Sequence, residues 1–166
     1  MGGKFAFAAL VFFLSALAGF MLESHAVPIP LEQPGYRWSD YFAHNLRQSL
    51  IVIAAGTATY GLGGYILLAV NGFAAGVGLQ LMIQNGKSDL IWKAFLPHAV
   101  FEIPAILISS VLPFMIWKSV LTFRRNRAAG CRLLIRRLLP TFGTMVALFA
   151  VAAVMEHVFA GGAFFA

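Results

Sequence analysis

No charged residue interrupts the chain between Phe5 and Met21, between Leu50 and Gln84, or between Leu139 and Met155. A hydrocarbon layer about 30 Å thick is crossed by roughly 20 helical residues. Inside lipid the backbone must satisfy its own polar groups, so a spanning segment is a helix or part of a closed barrel. Apolar runs of this length are helices, and the expected fold is an all-α integral membrane bundle. Composition agrees: of 166 residues 60% are hydrophobic and 11% charged, against about one quarter charged in an ordinary soluble domain. Lipid, rather than a large core, is the natural solvent of a single membrane domain spanning residues 1–166.

The net charge of +6 is not a signature of nucleic-acid binding, because the basic residues concentrate in one segment. Lys118, Arg124, Arg125, Arg127, Arg132, Arg136 and Arg137 lie within one loop between two apolar runs, and the positive-inside rule assigns such a loop to the cytoplasm. It also suits contact with anionic headgroups or a cytoplasmic partner. The single Cys131 excludes an intramolecular disulfide and any multi-cysteine metal site.

Five transmembrane helices follow from the pattern. Phe5 to Met21 is read as an uncleaved first helix, although a signal peptide cut after Ala26 also fits the flanking residues. Val27 to Pro34 carries three prolines and cannot be helical throughout. Tyr36, Trp38, Tyr41 and Phe42 then suit an interfacial belt, giving an external loop that ends in a surface helix. Asn71-Gly72 is the expected break in the uncharged stretch, because both residues favour turns. It divides a helix from about Gln48 to Val70 from a shorter one from about Phe73 to Gln84. A fourth helix is expected from about Ile91 to Trp117 and a fifth from about Leu139 to Phe159. Counting crossings from the arginine segment puts the N-terminus in the cytoplasm and the C-terminus outside, in a multi-pass protein of the plasma (inner) membrane. Gly72 and Gly76 form a small-xxx-small pair of the kind that lets membrane helices approach closely.

Ionisable residues within membrane helices are costly and need partners or a purpose. His98 and Glu102, four residues apart, share a helical face, and Ser109 extends that polar stripe. Pro104 leaves the carbonyl of Val100 without its usual donor. Glu156, next to His157, lies at a depth from which it can meet His98. Three uses compete for His98, Glu102 and Glu156: a polar lock between helices, preferred here; a divalent metal site, with zinc suited to imidazole and carboxylate; or proton or ion transfer. The spacing is not the HExxH of a zinc protease.

The run Pro97-His98-Ala99-Val100-Phe101-Glu102-Ile103-Pro104-Ala105 resembles the HG-I-F-E-x-P-A signature of the stage II sporulation protein M family. Asn45-Leu46, Asn71-Gly72 with Gly76, and Ala152-Ala153-Val154-Met155-Glu156 resemble that family's N-L, NG-xxx-G and A-A-xx-E elements, in the same order. Ala99 stands where the family usually has glycine. The resemblance covers most of the chain and implies a multi-spanning membrane protein without a proven common catalytic activity. It implies partners such as cell-wall-degrading enzymes or exporters, and adds a functional role to His98, Glu102 and Glu156. The expected function is a non-enzymatic scaffold or accessory subunit for envelope-remodelling or export partners, in contact with lipid, with other membrane or envelope proteins, and with further copies of itself. A small transporter or channel-like subunit using the His/Glu cluster is the alternative, and an intramembrane metal-dependent hydrolase the third.

Overall fold

The computed structural model describes residues 2–22 and 37–163, and every regular element among them is helical. The expected proline-rich loop, the cleavage site after Ala26 and Tyr36 lie outside the described residues. Helix α1 is Gly2–Met21, α2 Trp38–Ala58 and α3 Leu62–Gln84. A single short turn of helix, α4 (Ser88–Leu90), and a π-helical turn (Ile91–Phe95) lead into α5 (Leu96–Arg125). After Asn126, α6 (Arg127–Leu133) passes through a second π-helical turn (Leu134–Leu138) into α7 (Leu139–Ala163). Among the described residues, four helical runs are long and apolar enough to cross a membrane: Gly2–Met21, Leu62–Gln84, Leu96–Arg125 and Arg127–Phe159. The fifth long helix, α2, is less apolar because Asp40, His44 and Arg47 occupy its first half.

The break expected at Asn71-Gly72 is absent, and α3 runs through both residues. The chain turns instead at Thr59, Tyr60 and Gly61, where Tyr60 has φ +55° and Gly61 φ +106°. That left-handed backbone favours glycine, and a Cβ on Gly61 would also run into the ring of Phe114. Thr59 secures the corner: its Oγ1 donates to the Ala55 carbonyl at 2.7 Å and accepts from the Gly63 N–H at 2.7 Å. Moving the turn upstream also changes the expected surface helix, because Trp38, Tyr41 and Phe42 become the first turns of α2. Asp40 caps that start, its carboxylate accepting from the Arg37 backbone N–H at 2.8 Å.

Glycine at residues 72 and 76 serves packing, as the small-residue spacing predicts. Both are buried, and a Cβ on Gly76 would overlap the Ala16 carbonyl of α1. On the facing side, a Cβ on Gly19 would overlap the Phe73 carbonyl. Helices α1 and α3 therefore touch backbone to backbone. Gly56 of α2 does the same towards Gly64 of α3 and also seats Pro113, whose Cγ would lie 2.6 Å from an added Cβ. Both Pro104 and Pro113 are accommodated inside a continuous α5.

Helix α5 is the hub, packing against α1, α2, α3, α6 and α7. One apolar cluster, Ala8, Phe12, Leu68, Leu107 and Val111, joins it to α1 and α3. A second, Ala105, Leu112, Met115, Met145 and Phe149, joins it to α7, with Leu46 and Ile53 of α2 against it. One end of the bundle is marked by aromatic side chains: Tyr60 stacks on Trp117 at 4.5 Å, Trp117 Nε1 donates to the Thr57 carbonyl at 2.8 Å, and Lys4 Nζ lies 3.5 Å from the centre of the Phe114 ring. Beyond that end the arginine segment is not a loop. It is a helical hairpin whose one non-helical residue, Asn126, caps α6 by accepting from the Ala129 N–H at 3.0 Å.

Candidate functional site in the bundle

At the opposite end from the arginine hairpin, a cleft of about 310 Å³ opens between the helices. Tyr41, His44, Asn45 and Gln48 reach it from α2, and Asn71 and Ala75 from α3. His98, Ala99, Glu102, Ile103 and Ile106 line it from α5, with Phe95 from the preceding π-helical turn, Phe12 from α1 and Glu156 from α7. Residues separated by more than a hundred positions in sequence thus face one space, which only the five-helix packing brings about.

Each residue arrives there for a local reason. On α2, Tyr41, His44, Asn45 and Gln48 follow the three-and-four spacing of a single helical face, so one polar stripe of this helix points inward. Asn71 is placed by its neighbour, because Gly72 docks α3 on α1 next to Ser15 and thereby fixes the helix's rotation. On α5, His98 and Glu102 share a face, and His98 Nε2 lies 3.7 Å from Glu102 Oε2 with both side chains largely withdrawn from the surface. The π-helical turn just upstream inserts extra backbone into the helix and rotates what precedes it. There Phe95 meets the imidazole edge-on, with ring centres 5.5 Å apart.

The polar stripe expected to continue through Ser109 does not reach the cleft. Ser109 is fully buried, and its hydroxyl donates to the Ile106 carbonyl of its own helix at 2.7 Å. Of the residues singled out from sequence, His98, Glu102, Glu156, Asn45 and Asn71 line the cleft. Gly72 and Gly76 belong to the α1–α3 contact. Pro104 sits within α5 outside the lining, and His157 is exposed. Among the described residues no three His, Cys, Asp or Glu side chains stand together as a group able to hold a metal ion. His98, Glu102 and Glu156 share a cleft without forming a converged ligand set. His44 and Gln48 were not singled out from sequence as site residues and Tyr41 was read there only as an interfacial aromatic, although the polar stripe along α2 carries the signal for all three.

The cleft has a polar wall and an apolar floor. Phe12 and Ile106, which line it, also pack into the cluster joining α1, α3 and α5. Most of the core residues lie on the hairpin side of the cleft residues. Leu68 precedes Asn71, Leu107 and Val111 follow Glu102, and Met145 and Phe149 precede Glu156. Packed apolar clusters thus lie between the cleft and the hairpin. Such a shape can hold a polar or charged group between the helices.

The family model described as "Stage II sporulation protein M" matches residues 5–160, nearly the whole chain. An uncharacterized protein of Methanocaldococcus jannaschii is 37% identical over 82 residues, which cover 49% of this chain and 46% of that protein. The match thus spans about half the length of that curated relative. No solved structure matches the chain.

Proposed function

For a chain that belongs to the stage II sporulation protein M family, as this one does, we propose the role of a non-enzymatic accessory subunit of an envelope-remodelling or export assembly, working through the cleft. It is a multi-pass protein of the plasma membrane, with its N-terminus and arginine hairpin in the cytoplasm, and its cleft opens towards the external face. The orientation rests on charge. Lys118 and the arginines from 124 to 137 gather at the end where Lys4 also lies, and positive charge is retained on the cytoplasmic side.

The observation that carries the role is the convergence of His98, Glu102, Glu156, Asn45 and Asn71 on one cleft. Polar side chains at this depth are costly unless they are used. A cleft with carboxylate, imidazole and amide walls, with apolar clusters packed between it and the hairpin, suits the reception of a polar group from another membrane or envelope protein better than conduction. Glu102→Gln and Glu156→Gln keep side-chain volume and remove the carboxylates. In native gels of mildly solubilised membranes, the wild type is expected to run in an assembly larger than the free chain, and both variants to run as the free chain at normal abundance. Assemblies of equal size in all three would refute the role of the cleft.

The paired ionisable groups keep a transporter-like subunit as a second reading. Reconstituted alone under an imposed pH gradient, the protein is expected to carry no flux. A flux abolished by Glu102→Gln would replace the accessory role with transport.

A further inference from the structure

The lining of the cleft is one-sided in charge. The chain has twelve lysines and arginines against six acidic residues, yet none of the twelve lines the cleft, whereas Glu102 reaches it from α5 and Glu156 from α7. His98 stands 3.7 Å from Glu102. Glu156 has no such companion: it makes no hydrogen bond or ion pair with another described residue. The two carboxylates repel one another, and a cation between like charges favours both.

The rest of the lining suits a cation as well. Asn45, Gln48 and Asn71 reach the cleft, and none of these amides is hydrogen-bonded to another described residue, so their carbonyl oxygens are open to N–H donors from outside the chain. Phe12, Tyr41 and Phe95 add aromatic rings. Elsewhere in the bundle the protein already seats a cation on such a ring, with Lys4 Nζ 3.5 Å from the centre of Phe114, and that attraction strengthens away from water. Size separates an organic cation from a bare metal ion. The donors are spread around about 310 Å³, and among the described residues no three His, Cys, Asp or Glu converge as a metal's short bonds require. An ammonium or guanidinium group needs no convergence, because its N–H donors diverge, and an aliphatic stem behind it finds Ile103 and Ile106 in the same lining.

We infer that the group received by the cleft is the cationic head of a lysine or arginine side chain of the partner, held between Glu102 and Glu156. The inference rests on the accessory reading for the existence of that partner and adds the charge of what the partner inserts.

The test uses the full chain in phosphatidylcholine nanodiscs and saturation-transfer NMR. The probes are Nα-acetyl-lysine methylamide and Nα-acetyl-arginine methylamide, with Nα-acetyl-glutamine methylamide as the uncharged control. At least one cation is expected to bind about tenfold or more tighter than the glutamine compound, and to lose that advantage in Glu102→Gln and in Glu156→Gln, because neutralising one partner of a withdrawn charge pair removes most of its attraction. Gln48→Glu adds a carboxylate at the exposed edge of the cleft and is expected to tighten the cation, which keeps the inference testable if a buried-glutamate variant fails to fold. Equal binding of charged and uncharged probes, a preference unaltered in all of these variants, or glycerophosphoethanolamine bound in preference to both side-chain probes would overturn it. If the wild type shows no cation preference while Glu102→Gln and Glu156→Gln still lose the assembly, this inference falls and the accessory role stands. Cation binding with assemblies of unchanged size would instead refute the accessory role, and with it the partner as the source of the cation.

Discussion

At the scale of single residues, side chains that look alike in sequence divide into cleft lining and packing. Asn71 and Gly72 are adjacent and read together as a turn, yet one faces the cleft and the other lies against α1. Turn chemistry lost because a glycine in a membrane helix gains close packing that it would not have in water. The residue that made the turn, Gly61, combines a positive φ with a place under the Phe114 ring, a contact distant in sequence. A consequence follows for the polar lining. Asn71→Ala deletes an amide from the cleft without touching the α1 contact, whereas Gly72→Ala forces a Cβ against the Phe12 carbonyl and Ser15. Asn71→Ala is expected to keep the wild-type melting temperature in detergent and Gly72→Ala to lower it. Loss of the fold in both would mean that Asn71 is structural.

Elements show why some boundaries were legible and others were not. The α1, α3 and α7 apolar runs announce themselves because nothing charged interrupts Phe5 to Met21, Leu50 to Gln84 or Leu139 to Met155. Helix α2 was harder to read, since a helix that turns a polar face inward has the composition of a surface helix. The arginine segment was read as a loop because charge suggests solvent. It is helical because arginine is a good helix former and Asn126 supplies a cap. The α1–α3 contact gives the sharpest test at this scale. Gly76→Leu should disrupt folding more than Leu68→Ala, although Leu68 is fully buried. Removing that leucine leaves a cavity costing about 2–5 kcal/mol, while a side chain at Gly76 drives α1 away from α3 along its length. Thermal unfolding and membrane abundance measure both, and equal losses would remove the close-packing account.

For the whole molecule, charge and polarity are sorted to opposite ends: the arginine hairpin at one, the polar cleft at the other, with packed apolar clusters between them. The helical membrane architecture and the polar residues of α5 and α7 were legible in the sequence. The contribution of α2 and the apolar floor were not, because both depend on how helices distant in sequence are rotated against one another. Reporter fusions at Ala128 are expected to be cytoplasmic and those at Gly86 external, and an external Ala128 would invert the orientation. The central claim, a polar cleft that opens away from the hairpin, is tested most directly by cysteine accessibility in a Cys131→Ser background. With a charged, membrane-impermeant thiol reagent, Asn71→Cys and Gln48→Cys should react from the external side and stay unreacted from the hairpin side, while Leu68→Cys should react from neither. Reaction of Asn71→Cys from the hairpin side, or from no side at all, would contradict the account.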